Sequence, residues 1–169
     1  MSKITTGLVL GIALIATAGC TKKRDANTIP PAPSETGPAP VEGDSDTVAA
    51  PLNEQFRREV ASDTIHFSFD QYDIDPEARA ILDSQAQWLT SHPNTRITIE
   101  GHCDERGTRE YNLGLGDRRA NAAKNYLASR GISPARITTI SYGKERPIAL
   151  GSDDASWAQN RRAVTIVIS

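Results

Sequence analysis

The sequence predicts an α/β (α+β) domain built as a two-layer sandwich, with one sheet and helices packed on one side of it. Three observations carry that expectation. Segments with a two-residue apolar period alternate along residues 52–169 with segments whose apolar residues recur every three or four positions. Ile, Val and Ala fill most apolar positions, which suits a small core between a sheet and a helical layer. Pro76, Pro93, Gly131 and Pro134 stand where such elements should begin or end.

Residues 1–51 are of another kind. Lys3 gives a positive start, Leu8 to Ala16 form an apolar run, and the small residues Ala18 and Gly19 precede Cys20. The apolar run is shorter than the roughly 17–25 residues of a membrane span, so residues 1–19 read as a secretory signal. Ala18-Gly19-Cys20 resembles the bacterial lipobox, in which lipid is attached to the cysteine; Thr17 departs from the aliphatic residue usual there. Lipidation is therefore expected at Cys20, and Thr21, in place of the Asp associated with inner-membrane retention, points by resemblance to the outer membrane. Residues 20–51 hold Pro30, Pro31, Pro33, Pro38, Pro40 and Pro51 among Ser, Thr, Gly and acidic residues. Such a segment buries too little apolar surface to offset its ordering entropy, and it reads as an extended, disordered tether.

The domain proper is expected over residues 52–169. Residues 52–62 suit a short lead-in helix. Residues 64–69 alternate, placing Ile65, Phe67 and Phe69 on one strand face. Asp73, Asp75 and Glu77 lack the glycine and the final acidic ligand of a calcium loop, whereas Asp75-Pro76 is suited to open a helix as N-cap and first residue. That helix turns Ala78, Ile81, Leu82, Gln85 and Leu89 inward and ends at His92-Pro93. A second strand over residues 96–100 points Ile97 and Ile99 inward. A charged loop over residues 101–108 leads to a long helix over residues 109–130, stopped by Gly131. Its apolar stripe is Leu113, Gly116, Ala120, Ala123 and Leu127. Helical phase sends Arg118 to solvent and sets Arg119 on the stripe's edge, aimed along the domain surface. Residues 136–142 form a strand of undecided facing, residues 152–159 a helical turn with Trp157, and residues 163–168 a last strand with Val164, Ile166 and Ile168 inward.

Charge and cysteine content narrow the function. Nineteen basic and twenty-one acidic residues give a formal net charge of -2, which offers no general attraction to nucleic acid. Of the two cysteines, Cys20 ends the leader and Cys103 sits in the charged loop, so a structural disulfide is disfavoured. His102, Cys103 and Asp104 are consecutive at a strand end, where neighbouring side chains diverge, so they make a poor nucleophilic relay and no enzyme is expected. No second Cys/His cluster has zinc-ligand spacing, so no metal or other cofactor is expected. Gly114 and Gly116 are not followed by the Lys-Ser/Thr of a phosphate loop. Binding fits better. Asp104 and Arg119 could frame a pocket whose carboxylate takes an ammonium and whose guanidinium takes a carboxylate, as a free amino-acid centre requires. They could equally pair with each other and fix the loop. On the residues alone, both arrangements stand open.

Phe67-Ser68-Phe69-Asp70, Glu100-Gly101-His102, Asp104-Glu105-Arg106-Gly107-Thr108, Glu110-Tyr111-Asn112-Leu113, Arg118-Arg119-Ala120, Ser141-Tyr142-Gly143-Lys144-Glu145 and Asn160-Arg161-Arg162 resemble, in the same order, the OmpA-like C-terminal domain family of peptidoglycan-associated lipoproteins. The likeness runs from about Asp63 to Ser169. It implies a mixed sheet in the order β-α-β-α-β-β. It also implies an outer-membrane lipoprotein with a periplasmic domain that binds peptidoglycan non-covalently through the diaminopimelate of its stem peptide. By motif position, Asp104 holds the ammonium and Arg119 the carboxylate. Asp70 and Tyr72 line the same pocket, Asn112 and Leu115 support it, and Arg106 is a rim contact. Asn160, Arg161 and Arg162 take a mainly structural role. Cys103 departs from the small Ala or Thr usual at its position, and a periplasmic free thiol there is open to oxidation. The implied partners are a periplasmic TolB-like propeller protein and other Tol proteins, in a system that supports envelope integrity and cell division. A similar domain also serves other envelope machines, which is the competing use.

Overall fold

A computed structural model describes residues 45–168, with side chains from Pro51 onward. The expected signal, Cys20 and most of the tether lie outside the described residues. The chain runs α1 (Ser45–Glu59), β1 (Thr64–His66), α2 (Pro76–Ser91), β2 (Ile97–His102), α3 (Arg109–Ser129), a 3-10 turn (Pro134–Arg136), β3 (Ile137–Gly143), α4 (Asp154–Asn160) and β4 (Arg162–Val167). Among the described residues, no helix is long and apolar enough to cross a membrane.

The four strands make one mixed sheet in the order β1-β4-β2-β3. β4 pairs antiparallel with both β1 and β2, while β2 and β3 run parallel, joined by the crossover helix α3. One sheet face is buried through Ile65, Ile97, Ile99, Ile137, Ala163, Thr165 and Val167, and α2 and α3 contribute Ala78, Leu82, Leu89, Ala120, Ala123 and Leu127 to the same core. This is the predicted α+β sandwich.

Local chemistry fixes the helix ends. Asp75 caps α2 by accepting from the Ala78 amide at 2.7 Å, with Pro76 at the first helical position. Thr108 caps α3 through the Tyr111 amide at 3.2 Å, and Gly131 stops it with a φ of +94°.

Four expectations about this scaffold need correction. The first helix begins at Ser45, inside the stretch read as tether. Phe56 and Val60 are buried in the core, and Phe56 meets Trp88 edge-on at 5.0 Å, so packing offsets the hydrogen bond that Pro51 cannot make. Second, β1 ends at His66, and Phe69 is 58% exposed rather than inward. Asp70 adopts a left-handed φ of 57°, so the chain is already turning there.

Third, β4 faces the opposite way: Ala163, Thr165 and Val167 are buried, Val164 and Ile166 are half-buried, and Ile168 is 41% exposed. The apolar alternation misled because the inward set includes Thr165, whose hydroxyl donates to buried Gln85 Oε1 at 2.9 Å. On β3, Ile137 is buried, with Thr139 and Ser141 half-buried on its face, and Ile140 is exposed. Fourth, Leu113 of the α3 stripe is only half-buried, whereas Leu115 is buried.

α3 crosses the end of β2 at backbone distance. A Cβ on Gly101 would collide with the Gly116 carbonyl, and one on Gly116 would meet the Ser141 hydroxyl and Gly101. The Ser141 hydroxyl donates to Leu113 O at 2.7 Å, holding the same turn of helix to β3. That contact sets the mouth between the end of β2 and the start of α3.

Candidate functional site

A pocket of about 160 Å³ opens at that mouth. Phe69, Asp70, Cys103, Asp104, Arg106, Gly107, Tyr111, Asn112, Leu115 and Arg119 line it. It lies where β2 gives way to the α3 crossover, a common ligand position in α/β sheets. Its volume is below the roughly 300 Å³ at which drug-sized sites begin, so it fits the end of a molecule rather than a whole one.

The loop beneath the pocket is pinned from several directions. Gly107 has a φ of +90°, and Asn112 Nδ2 donates to Arg106 O at 2.8 Å and Thr108 O at 3.1 Å. Lys144 donates to Glu105 O at 3.0 Å and Gly107 O at 2.8 Å, and the Trp157 indole donates to Glu105 at 3.0 Å. The Cys103 thiol donates to Asn112 O at 3.3 Å. Burial pushes that thiol up, so it packs as a neutral group. No hydrogen bond joins His102, Cys103 and Asp104 side chains among those described, and both His102 ring nitrogens lack a hydrogen-bond partner.

Asp104 is buried and fully engaged. Its Oδ1 accepts from the Arg106 amide at 3.1 Å and Arg106 Nε at 3.2 Å, while its Oδ2 accepts from Arg106 Nη2 at 2.6 Å and Arg161 Nη1 at 3.5 Å. Burial alone would push its carboxyl up, but the Arg106 and Arg161 bonds outweigh that and hold it below the usual range. The Arg106 guanidinium carbon lies over the Phe69 ring, 4.1 Å from its centroid, and over the Trp157 ring, 4.0 Å from its centroid. Asp70 accepts from the Tyr111 hydroxyl.

Arg119 overturns the expectation that it runs along the surface: it is 0% exposed. It donates through Nε to Gln71 O at 2.9 Å, Nη1 to His102 O at 2.8 Å and Nη2 to Ser68 O at 3.2 Å. Its stem is long enough to pass from the stripe's edge under the loop that follows β1, and three carbonyls there offset its desolvation. It makes no ion pair among the described residues, so it does not pair with Asp104. Each terminal nitrogen keeps a second N–H. Burial lowers its pKa, the cost of a cation with carbonyl partners only.

Six of the expected residues, Asp70, Asp104, Arg106, Asn112, Leu115 and Arg119, thus line one pocket. Tyr72 does not. It is 45% exposed beside Arg118, because the Asp70 turn sends the Gln71 carbonyl inward to Arg119. Residue reading missed Phe69, Tyr111 and Trp157, whose aromatic character was the available signal. It also missed the Arg161 bond to Asp104, although Asn160 does clamp the loop before α4 by accepting from the Ile148 and Ala149 amides.

Comparison with known proteins follows the same outline. A profile of the OmpA family matches residues 66–161. The peptidoglycan-associated lipoprotein of Rhizobium meliloti (strain 1021) is 55% identical over 119 residues, covering 70% of this chain and 68% of that one. The protein of the same name from Pseudomonas putida is 41% identical over 96% of both chains. The crystal structure of the peptidoglycan-associated lipoprotein from Burkholderia pseudomallei superposes with a TM-score of 0.62 at 48% identity, covering 63% of this chain and 91% of that one. The C-terminal domain of Helicobacter pylori MotB shares the fold alone, at 20% identity and a TM-score of 0.59.

Proposed function

The chain belongs to the OmpA family, and from that premise we propose that it is an outer-membrane lipoprotein whose periplasmic domain binds peptidoglycan non-covalently. The ligand group is the free zwitterionic end of the stem-peptide diaminopimelate. Arg119 carries this reading: a buried guanidinium without a carboxylate partner among the described residues lines a small pocket that also holds Asp104 and Asp70. A ligand carboxylate would give Arg119 the counter-ion it lacks, and the ligand ammonium would go to Asp104. Tethering the outer membrane to the wall then needs only lipid at Cys20 and the tether between. Partnership with a TolB-like propeller protein and other Tol proteins, in envelope integrity and division, is supported by the family's motifs along residues 63–169. Service to another envelope machine is the second use, and the MotB likeness supports it no further than the fold.

Asp104→Asn is the better test than any change at Arg119, whose loss would strand three buried carbonyls and damage the fold. Asp104→Asn should lower retention on purified sacculi by about tenfold or more and, because it takes the counter-charge from Arg106 and Arg161, lower the melting temperature by several degrees, while the circular dichroism stays near wild type. Undiminished retention would remove Asp104 from the site, and a collapsed fold would return it to a structural role. Release of soluble muropeptides by the wild type would make the protein an enzyme and sink the reading.

A further inference from the structure

We propose that Arg106 is a resident counter-ion which Asp104 must release when ligand enters, and that this exchange makes the pocket select a zwitterionic amino-acid centre over a plain ammonium. The inference rests on Asp104 as the ammonium acceptor and adds the residue that sets the selectivity.

A carboxylate offers about four acceptor directions, and Asp104 has four donors: the Arg106 amide, Arg106 Nε, Arg106 Nη2 and Arg161 Nη1. An incoming ammonium therefore cannot simply add to Asp104; one donor must leave. Arg161 is poorly placed to do so. Its side chain is 15% exposed, and its Nε is fixed to Phe67 O at 2.9 Å. Arg106 is the movable partner. Its side chain is 32% exposed at the rim, and the Phe69 and Trp157 rings hold its guanidinium by cation–π contact rather than by hydrogen bonds. Cation–π contacts are less directional than charged hydrogen bonds, so the guanidinium can shift across the two rings while keeping both. Displaced in this way, it stays at the pocket mouth with its fork unpaired.

The consequence depends on what displaced it. A plain ammonium exchanges one ion pair for another and strands the Arg106 fork without a partner. A zwitterion brings a carboxylate as well, whose two oxygens can be shared between the freed Arg106 and the spare N–H groups of Arg119. Only the zwitterion leaves every charge in the pocket paired.

The test is calorimetric titration of the full-length chain, purified in detergent, with two muramyl tripeptides that differ only in ending with meso-diaminopimelate or lysine. Wild type should favour the diaminopimelate probe by about tenfold, the worth of roughly one charged hydrogen bond. Arg106→Ala should bind the lysine probe more tightly and the diaminopimelate probe more weakly, so the ratio falls toward one. Arg106→Lys, which keeps the charge without the fork, should give an intermediate ratio and serves if the alanine variant unfolds. Equal weakening of both probes would make Arg106 a loop fastener, and an unchanged ratio would deny it any part in selection; either overturns the proposal. Wild type binding both probes equally overturns it while leaving the binding function intact. Wild type binding neither removes the underlying function and the proposal with it.

Discussion

His102 sits buried at the end of β2, stacked on Tyr142 at 5.6 Å, with no hydrogen bond to either ring nitrogen among the described residues. Glu100 Oε2 is 3.4 Å from its Nε2 but is not aligned for a bond, and Arg146 stacks on the far ring at 3.6 Å. Burial, reinforced by the charges of Arg162 and Arg146, pushes the imidazole down from 6.5 to about 4. Because the folded value lies below the unfolded one, the unfolded chain holds the extra proton between them. Stability from this residue is complete above pH 6.5 and is lost as pH falls toward 4. Wild type should therefore lose roughly 3 kcal/mol over that interval relative to His102→Phe, which keeps a ring there without the titration. Urea unfolding at a series of pH values measures the difference, and parallel profiles would place the acid sensitivity elsewhere. Individual residues were unevenly legible in the sequence. Arg118 was correctly sent to solvent by helical phase, and Asp75 was recognisable as a cap from its neighbours. The burial of Arg119 was not legible, since phase gives a direction but not the loop that closes over it. The Arg161–Asp104 contact joins residues far apart in sequence, and local pattern says nothing about such a pair.

At the scale of elements, the β2–α3 crossing decides where the pocket can form. Gly101 and Gly116 allow two backbones to touch, and a methyl group at Gly101 would have to push against the Gly116 backbone rather than a movable side chain. Gly101→Ala should cost about 3 kcal/mol or more. Gly114→Ala on the same helix is the contrast. Its added carbon would meet only an Arg118 nitrogen at 3.5 Å, so it should stabilise by roughly 0.5–1 kcal/mol through helix propensity. Thermal melts of the two variants should move in opposite directions; matching shifts would mean that the crossing is not a point of contact control. Most elements were legible because their ends carry chemistry: Asp75-Pro76, His92-Pro93 and Gly131 each mark a boundary. β4 was legible as a strand but not in its facing. Its outer face is also apolar and half-buried, and the Gln85–Thr165 bond makes a polar position an inward one.

Over the whole molecule, the domain and the leader have separate jobs on the proposed reading: one grips, the other anchors. Cys20→Ser should release the protein from the membrane fraction while leaving sacculus binding in place, and persistent membrane association would count against lipid at Cys20. The sandwich class followed from periodicity alone, whereas the mixed pairing came only through family motifs, because neighbouring strands in space need not be neighbours in sequence. The sheet order β1-β4-β2-β3 also bears on how the domain is made. Among the described residues, β4 follows the other three strands in the chain, yet it lies between β1 and β2 and is the only strand paired with β1. Any ribosome or export channel that passes the chain in order therefore delivers β1 and β2 before the strand that joins them. Until β4 emerges the sheet has a vacancy at its centre, Ala163 and Val167 are missing from the core, and Asp104 has no Arg161. The topology leaves closure of the sheet, and of the contacts around Asp104, to β4, after β1, β2 and β3 have emerged.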